Sequence, residues 1–261
     1  MQFACAKAGG FRAWIAPAAA TMLLAMAQGA AAQGALPSGF VYLRDVEPSI
    51  AQDIRYAGSD NFVGRPLPGY DAAECILRQE VAAALKRVQA RLRAGGLSLK
   101  VYDCYRPMRA VRAMVAWVND GRAQARTKRF FPRLPKSSLL LGYIASRSQH
   151  STGNAIDLTL IKAEAAPAAP FDPAAAYGPC TGPAAQRSPD NSVDMGTSFD
   201  CLDPASNTAS SAVTAEARCW RNTLVEAMRK QGLGNYYREW WHFSYGRPGR
   251  TAAYDFPIRP R

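Results

Sequence analysis

The sequence predicts an α+β fold in one compact domain, with a small, mainly antiparallel sheet flanked by helices. Of the 261 residues, 48% are apolar and 20% charged, which is enough to build a core and too apolar for disorder. The hydrophobic period switches repeatedly between that of a strand and that of a helix. The strand-like runs are short and no internal repeat is visible, and the composition excludes collagen, coiled coil and low-complexity linker.

The first 32 residues stand apart. Lys7 and Arg12 precede an apolar stretch from Trp14 to Met26, and Gly29-Ala30-Ala31-Ala32 before Gln33 supplies a small-residue cleavage site, the pattern of a secretory signal peptide. The stretch is too short to span a bilayer. Residues 1–32 are therefore expected to be a leader and 33–261 the domain, exported to the periplasm with no stable membrane insertion once the leader is gone.

Residues 40–46 read as a strand, and Pro and Gly punctuate 48–72 as an irregular arm. From Glu74 to Arg93, Ile76, Leu77, Val81, Ala84, Leu85, Val88 and Leu92 recur at helical spacing until Gly95-Gly96 stops the run. Leu97 to Asp103 is a strand. Pro107 then opens a helix that runs to about Asn119. Residues 154–161 form another strand, with Ala155, Asp157 and Thr159 on one face and Ile156, Leu158 and Leu160 on the other. Composition shifts over 163–193 to Ala, Pro, Gly and Ser, a long loop inside the domain. A helix from about Thr214 to Gln231 ends at Gly232, and Glu239 to Tyr245 enters a final strand.

Cysteine use agrees with export. With Cys5 removed in the leader, Cys75, Cys104, Cys180, Cys201 and Cys219 remain, an odd number that predicts two disulfides and a free thiol. Spacing leaves the pairing open. The expected one is Cys75–Cys104 and Cys180–Cys201, with Cys219 free inside a helical pattern. Lys and Arg number 32 against 20 acids, a net +12. No basic run or aromatic platform accompanies that surplus, so a nucleic-acid partner is not expected.

The chain holds two histidines, and both lie in motifs. His150 falls in Ser148-Gln149-His150-Ser151-Thr152-Gly153-Asn154-Ala155-Ile156-Asp157, and His242 in Glu239-Trp240-Trp241-His242. Two His and one Asp leave a fourth tetrahedral position open, as in a catalytic zinc site. They could equally form the facial triad of a non-haem iron enzyme, although the wide His150–Asp157 spacing speaks against iron. Arg106, in Tyr102-Asp103-Cys104-Tyr105-Arg106-Pro107, sits at a strand-to-helix corner where it could stabilise an oxyanion. Residues three apart on a strand point to opposite faces, so Glu239 and His242 can converge only if Glu239, with Trp240, lies in the turn before the strand. Both tryptophans read as packing residues.

With these blocks in this order, the chain resembles the D-alanyl-D-alanine dipeptidase family, zinc peptidases related in fold to D,D-carboxypeptidases and the hedgehog N-terminal domain. Ile54-Arg55-Tyr56-Ala57, Asn61-Phe62, Gly64-Arg65-Pro66 and Met195-Gly196-Thr197-Ser198-Phe199-Asp200 extend the likeness over almost the whole domain. The arm and Trp240 favour the dipeptidases over the carboxypeptidases. The resemblance implies one Zn2+ held by His150, Asp157 and His242, Glu239 as general acid/base and Arg106 at the oxyanion. It places Tyr56, Asp103, Ser148 and Asp200 around the substrate, a small D,D-dipeptide hydrolysed in cell-wall turnover. A D,D-carboxypeptidase or endopeptidase acting on peptidoglycan stems, and a non-catalytic zinc module, remain alternatives. The chain departs from the family where Ser206 is followed by Asn207 instead of His, in the length of the proline-rich loop, and in its leader.

Overall fold

The computed structural model describes residues 36–122, 125–246 and 252–261; the expected leader at 1–32 lies outside the described residues. In chain order the elements are β1 (Phe40–Tyr42), α1 (Leu43–Val46), β2 (Ala51–Gln52), β3 (Ile76–Arg78), α2 (Gln79–Arg93), β4 (Leu97–Asp103), α3 (Met108–Asn119), β5 (Ala155–Lys162), α4 (Ala215–Arg229), β6 (Leu233–Asn235) and β7 (His242–Tyr245). β1 and β3 pair as a two-stranded ribbon, and the others form a five-stranded sheet in the order β2-β4-β5-β7-β6. Only the short β2–β4 pair is parallel; the remaining pairs are antiparallel. The α+β class with a mainly antiparallel sheet therefore holds. Among the described residues no helix is long and apolar enough to cross a membrane.

The helices form where the apolar period demands. Val81, Leu85, Val88 and Leu92 make the buried stripe of α2, each contributing about 1.5–3 kcal/mol relative to exposure. The Thr214 side chain accepts from the Ala217 N–H at the start of α4, a cap worth about 1 kcal/mol.

Three boundaries move, each for a tertiary reason. The helix expected from Glu74 begins at Gln79, because Ile76–Arg78 pairs with Phe40–Tyr42 and Cys75 is tied to Cys104. The strand expected over 40–46 stops at Tyr42, where its three-residue partner ends, and Leu43–Val46 turns helical. The final strand begins at His242, not Glu239. The sequence offers no strand between Gly232 and Glu239; pairing of Leu233–Asn235 with β7 makes β6 one.

Cys75–Cys104 and Cys180–Cys201 are the observed disulfides among the described residues. Cys219 is not free as expected: it is disulfide-bonded, and no described cysteine is free. The 163–193 segment folds back on the sheet, with Ser192 bridging Ile161 and the Val193 N–H donating to the Leu160 carbonyl at 2.9 Å.

Candidate active site

Strand register assembles the site. Asp103 on β4 lies opposite Asp157 on β5, and Asp157 lies opposite His242 on β7. Residues directly opposite share a face, so three polar side chains from three strands form one row. His150 joins from a 3-10 turn, Gln149–Thr152, just before β5. The Ser148 Oγ accepts from the His150 N–H at 3.2 Å. Gly153 then turns the chain into β5 with φ +77°, and a Cβ there would meet the Phe40 ring; only glycine suits both demands.

His150, Asp157 and His242 form a candidate metal-binding triad. His150 Nε2 lies 3.1 Å from His242 Nδ1 and 3.2 Å from Asp157 Oδ1, and His242 Nδ1 lies 3.0 Å from the same oxygen. Donors bound tetrahedrally at ~2.0–2.2 Å stand about 3.3 Å apart, so this triangle fits a zinc-sized ion. The tautomers agree. His150 Nδ1 is 2.7 Å from the Cys104 carbonyl, which can only accept, so Nδ1 carries the proton and Nε2 presents its lone pair to the triangle. His242 Nε2 faces Ser244 Oγ at 3.2 Å, a hydroxyl that can accept its proton and so is compatible with Nδ1 as the ligand atom. Such outer partners fix ring orientation in metal sites. Burial pushes the His242 imidazole below its usual value, favouring the neutral form. Burial alone would raise the Asp157 carboxyl, but His150 and His242 hold it well below the usual carboxylate range.

Glu239 lies in the turn before β7, with Trp240 beside it, as convergence with His242 requires. Asn235 Nδ2 stitches this turn, donating to the carbonyls of Glu239 and His242 at 3.0 Å each. Glu239 Oε2 stands 3.9 Å from His242 Nδ1. Burial, then the charges of Asp157 and Asp200, push its carboxyl well above the usual range. Across the triad, Arg106 places Nη2 3.5 Å from Asp157 Oδ2 and its guanidinium 5.0 Å from the Tyr56 ring centre.

These groups open on a cavity of about 280 Å³ that is also lined by Tyr56, Ser148 and Asp200. Asp200 is buried with φ +56°, and the Tyr56 hydroxyl donates to its two oxygens at 2.9 and 3.1 Å. Burial followed by the Asp157 charge raises the Asp200 carboxyl. Asp103, expected beside the substrate, does not line the cavity. It is fully buried, its carboxylate taken up by Arg106 Nε at 2.8 Å and by the Tyr70 hydroxyl at 2.6 Å, which hold it away from the cavity.

Sequence reasoning missed Tyr70 and Ser244, which touch the site through other residues and lie outside the motifs, and the Cys104 carbonyl, a backbone group that no side-chain motif reports. It also missed Ser206. Trp240 donates its indole N–H to Thr197 Oγ1 at 2.8 Å, and that oxygen lies 3.2 Å from Ser206 Oγ; the Ser206 carbonyl accepts from the Trp240 backbone N–H at 3.2 Å. Both tryptophans are buried, and Trp241 also lines the cavity.

An α+β domain with a His-Asp-His triad on and beside the inner strands β5 and β7 of its sheet, a nearby acid and an arginine has the make-up of a metallohydrolase site. A family model described as D-ala-D-ala dipeptidase matches residues 37–169 and 183–258, and the chain belongs to that peptidase family. It is 29% identical over 223 residues to a D-alanyl-D-alanine dipeptidase of Enterococcus faecium, covering 85% of this chain and 98% of that one. It is 32% identical over 210 residues to the enzyme of the same name from Enterococcus faecalis, covering 80% and 92%. A third, from Streptomyces coelicolor, is 32% identical over 224 residues, covering 84% and 98%. The family match breaks over 170–182, inside the proline-rich loop.

Proposed function

We propose that this chain is a zinc-dependent D-alanyl-D-alanine dipeptidase that hydrolyses D-Ala-D-Ala to two D-alanines in cell-wall turnover. The observation that carries the reading is the triangle of His150 Nε2, Asp157 Oδ1 and His242 Nδ1, with edges of 3.0–3.2 Å, beside a buried Glu239. A zinc ion held by these three donors would supply a nucleophile at neutral pH and polarise the scissile carbonyl.

The rest falls to the chain's own groups. Glu239 takes the proton of the attacking water and passes it to the leaving amine, a role its raised pKa suits. Arg106, aligned by Asp103, meets the developing oxyanion, a contact whose loss typically costs ~10²–10³ in rate. Asp200, held by Tyr56, receives the substrate's ammonium end. A site that pairs that ammonium disfavours longer peptides, since extension leaves a buried carboxylate unpaired. The leader pattern at 1–32 supports a periplasmic location, hence action on wall-derived dipeptide.

The test is an amine-release assay on the zinc-loaded protein with D-Ala-D-Ala, its L,L isomer and a stem pentapeptide. Cleavage confined to the D,D-dipeptide is expected. Release of D-Ala from the pentapeptide without cleavage of the dipeptide would replace this reading with a carboxypeptidase.

A further inference from the structure

A free dipeptide is a zwitterion, and a site that reads both ends needs an anion for one and a cation for the other. This inference rests on the dipeptidase reading above and extends it to the second end. The acids lining the cavity are Asp157, Asp200 and Glu239, and its guanidinium groups are Arg106 and Arg147. Arg106 is already engaged. Its Nε and Nη2 lie 2.8 and 2.7 Å from Asp103 Oδ2, and Nη2 also faces Asp157. Its remaining capacity sits beside the triad, where the oxyanion forms, so it cannot also hold a carboxylate one residue away.

Arg147 differs in every respect. It is exposed at the cavity rim, and it makes no ion pair or hydrogen bond among the described residues. A guanidinium has five donors in a planar fork suited to a carboxylate. The wall that carries it is fixed to the turn bearing Glu239. The Tyr236 hydroxyl donates to the Gly142 carbonyl at 2.9 Å, and Arg238 Nη1 donates to the Leu141 carbonyl at 2.9 Å. Arg147 therefore belongs to the same frame as the base, on a cavity edge whose other charges are acidic or spent.

We propose that Arg147 is the carboxylate anchor of the site: its guanidinium pairs with the free C-terminal carboxylate of the dipeptide and selects for an unblocked C-terminus. The ammonium is left to Asp200, so the two charged ends are read by different residues of the one cavity.

The test compares D-Ala-D-Ala with its C-terminal amide on the wild type, Arg147→Ala and Arg147→Lys, all zinc-loaded. The wild type should prefer the free acid. Arg147→Ala should raise KM for the acid about tenfold, the size of a lost charge-assisted hydrogen bond, with kcat within about twofold and the amide unaffected. Arg147→Lys should recover part of the preference. The thermal midpoint of both variants should match the wild type, because the side chain is exposed. An unchanged KM for the acid in Arg147→Ala, or an equal loss on acid and amide, overturns the assignment while leaving the dipeptidase reading intact. A wild type that cleaves neither compound overturns both.

Discussion

Asp157 and His242 face each other directly across β5 and β7, with His242 Nδ1 3.0 Å from Asp157 Oδ1. The pairing makes the donor set a property of strand register. A slip of one residue would turn Asp157 to the face occupied by Ile156 and Leu158 and scatter the triad. The hydrophobic alternation that holds β5 in place therefore also holds the metal site.

Removing the central donor should remove the metal. Asp157→Ala leaves two imidazoles, too few for a tight tetrahedral site. Metal analysis after dialysis should find roughly one zinc per chain in the wild type and less than about a tenth of that in the variant. Stoichiometric zinc in Asp157→Ala would mean that the ligands lie elsewhere.

Glu239→Gln separates chemistry from binding. The side chain stands 3.9 Å from the nearest triad nitrogen, so zinc content should be unchanged, while kcat falls by ~10²–10⁴, the contribution of a positioned base. Activity near wild type would transfer the role to another group, of which Asp200 is the nearest candidate.

Much of this site is legible in the sequence, for a physical reason in each case. Asp157 could be placed on its face because a strand has period two, and β5 follows that period from Ala155 to Leu160. Glu239 could be placed in a turn because the alternative would point it away from His242. Asp103 could not be placed, since a motif reports proximity to chemistry without depth, and only the packing of Arg106 and Tyr70 shows it held away from the cavity. The start of α2 failed similarly. Ile76 and Leu77 fit a helical stripe equally well, and it is pairing with β1 together with the Cys75–Cys104 bridge that draws them into a strand. Arg147 carried no signal at all, being one arginine among many until the cavity wall was drawn.

The proline-rich loop is fastened by Asp190, and that fastening should depend on pH. Asp190 accepts from Lys100 Nζ at 2.6 Å, from the Tyr102 hydroxyl at 2.6 Å and from Arg55 at 3.0 Å. Burial opposes ionisation, but the Lys100 and Arg55 charges prevail and lower the pKa to about 2. A depressed folded-state pKa gives stability that is complete above the unfolded value near 4 and lost as pH falls through about 2; Asp190 is an exposed residue, so solvent screening cuts the contribution to about 1 kcal/mol. Asp190→Asn should therefore destabilise the protein by about that amount at pH 7 and by much less at pH 2 in denaturant titrations. Equal destabilisation at both would show that the carboxylate's charge is not what holds the loop.

The Cys180–Cys201 bridge joins the segment where the family match breaks to the residue that follows Asp200. It spans 21 residues, and closing a loop of that size is worth about 3 kcal/mol in the chain-entropy account. The bridge acts locally as well. Asp200 holds a left-handed backbone, φ +56°, which an aspartate adopts only when its surroundings insist. Those surroundings are the Tyr56 hydroxyl, the Ser198 N–H donating to the Cys180 carbonyl at 2.9 Å and the Leu202 N–H donating to the Phe130 carbonyl at 2.7 Å. Replacing both cysteines with serine should lower the thermal midpoint by roughly 5 °C or more. It should also raise KM for D-Ala-D-Ala with zinc content unchanged, because the ammonium partner loosens while the triad, on β5 and β7, stays in register. A lower midpoint with an unaltered KM would make the bridge a staple for the loop alone and would leave the strained Asp200 backbone to Tyr56.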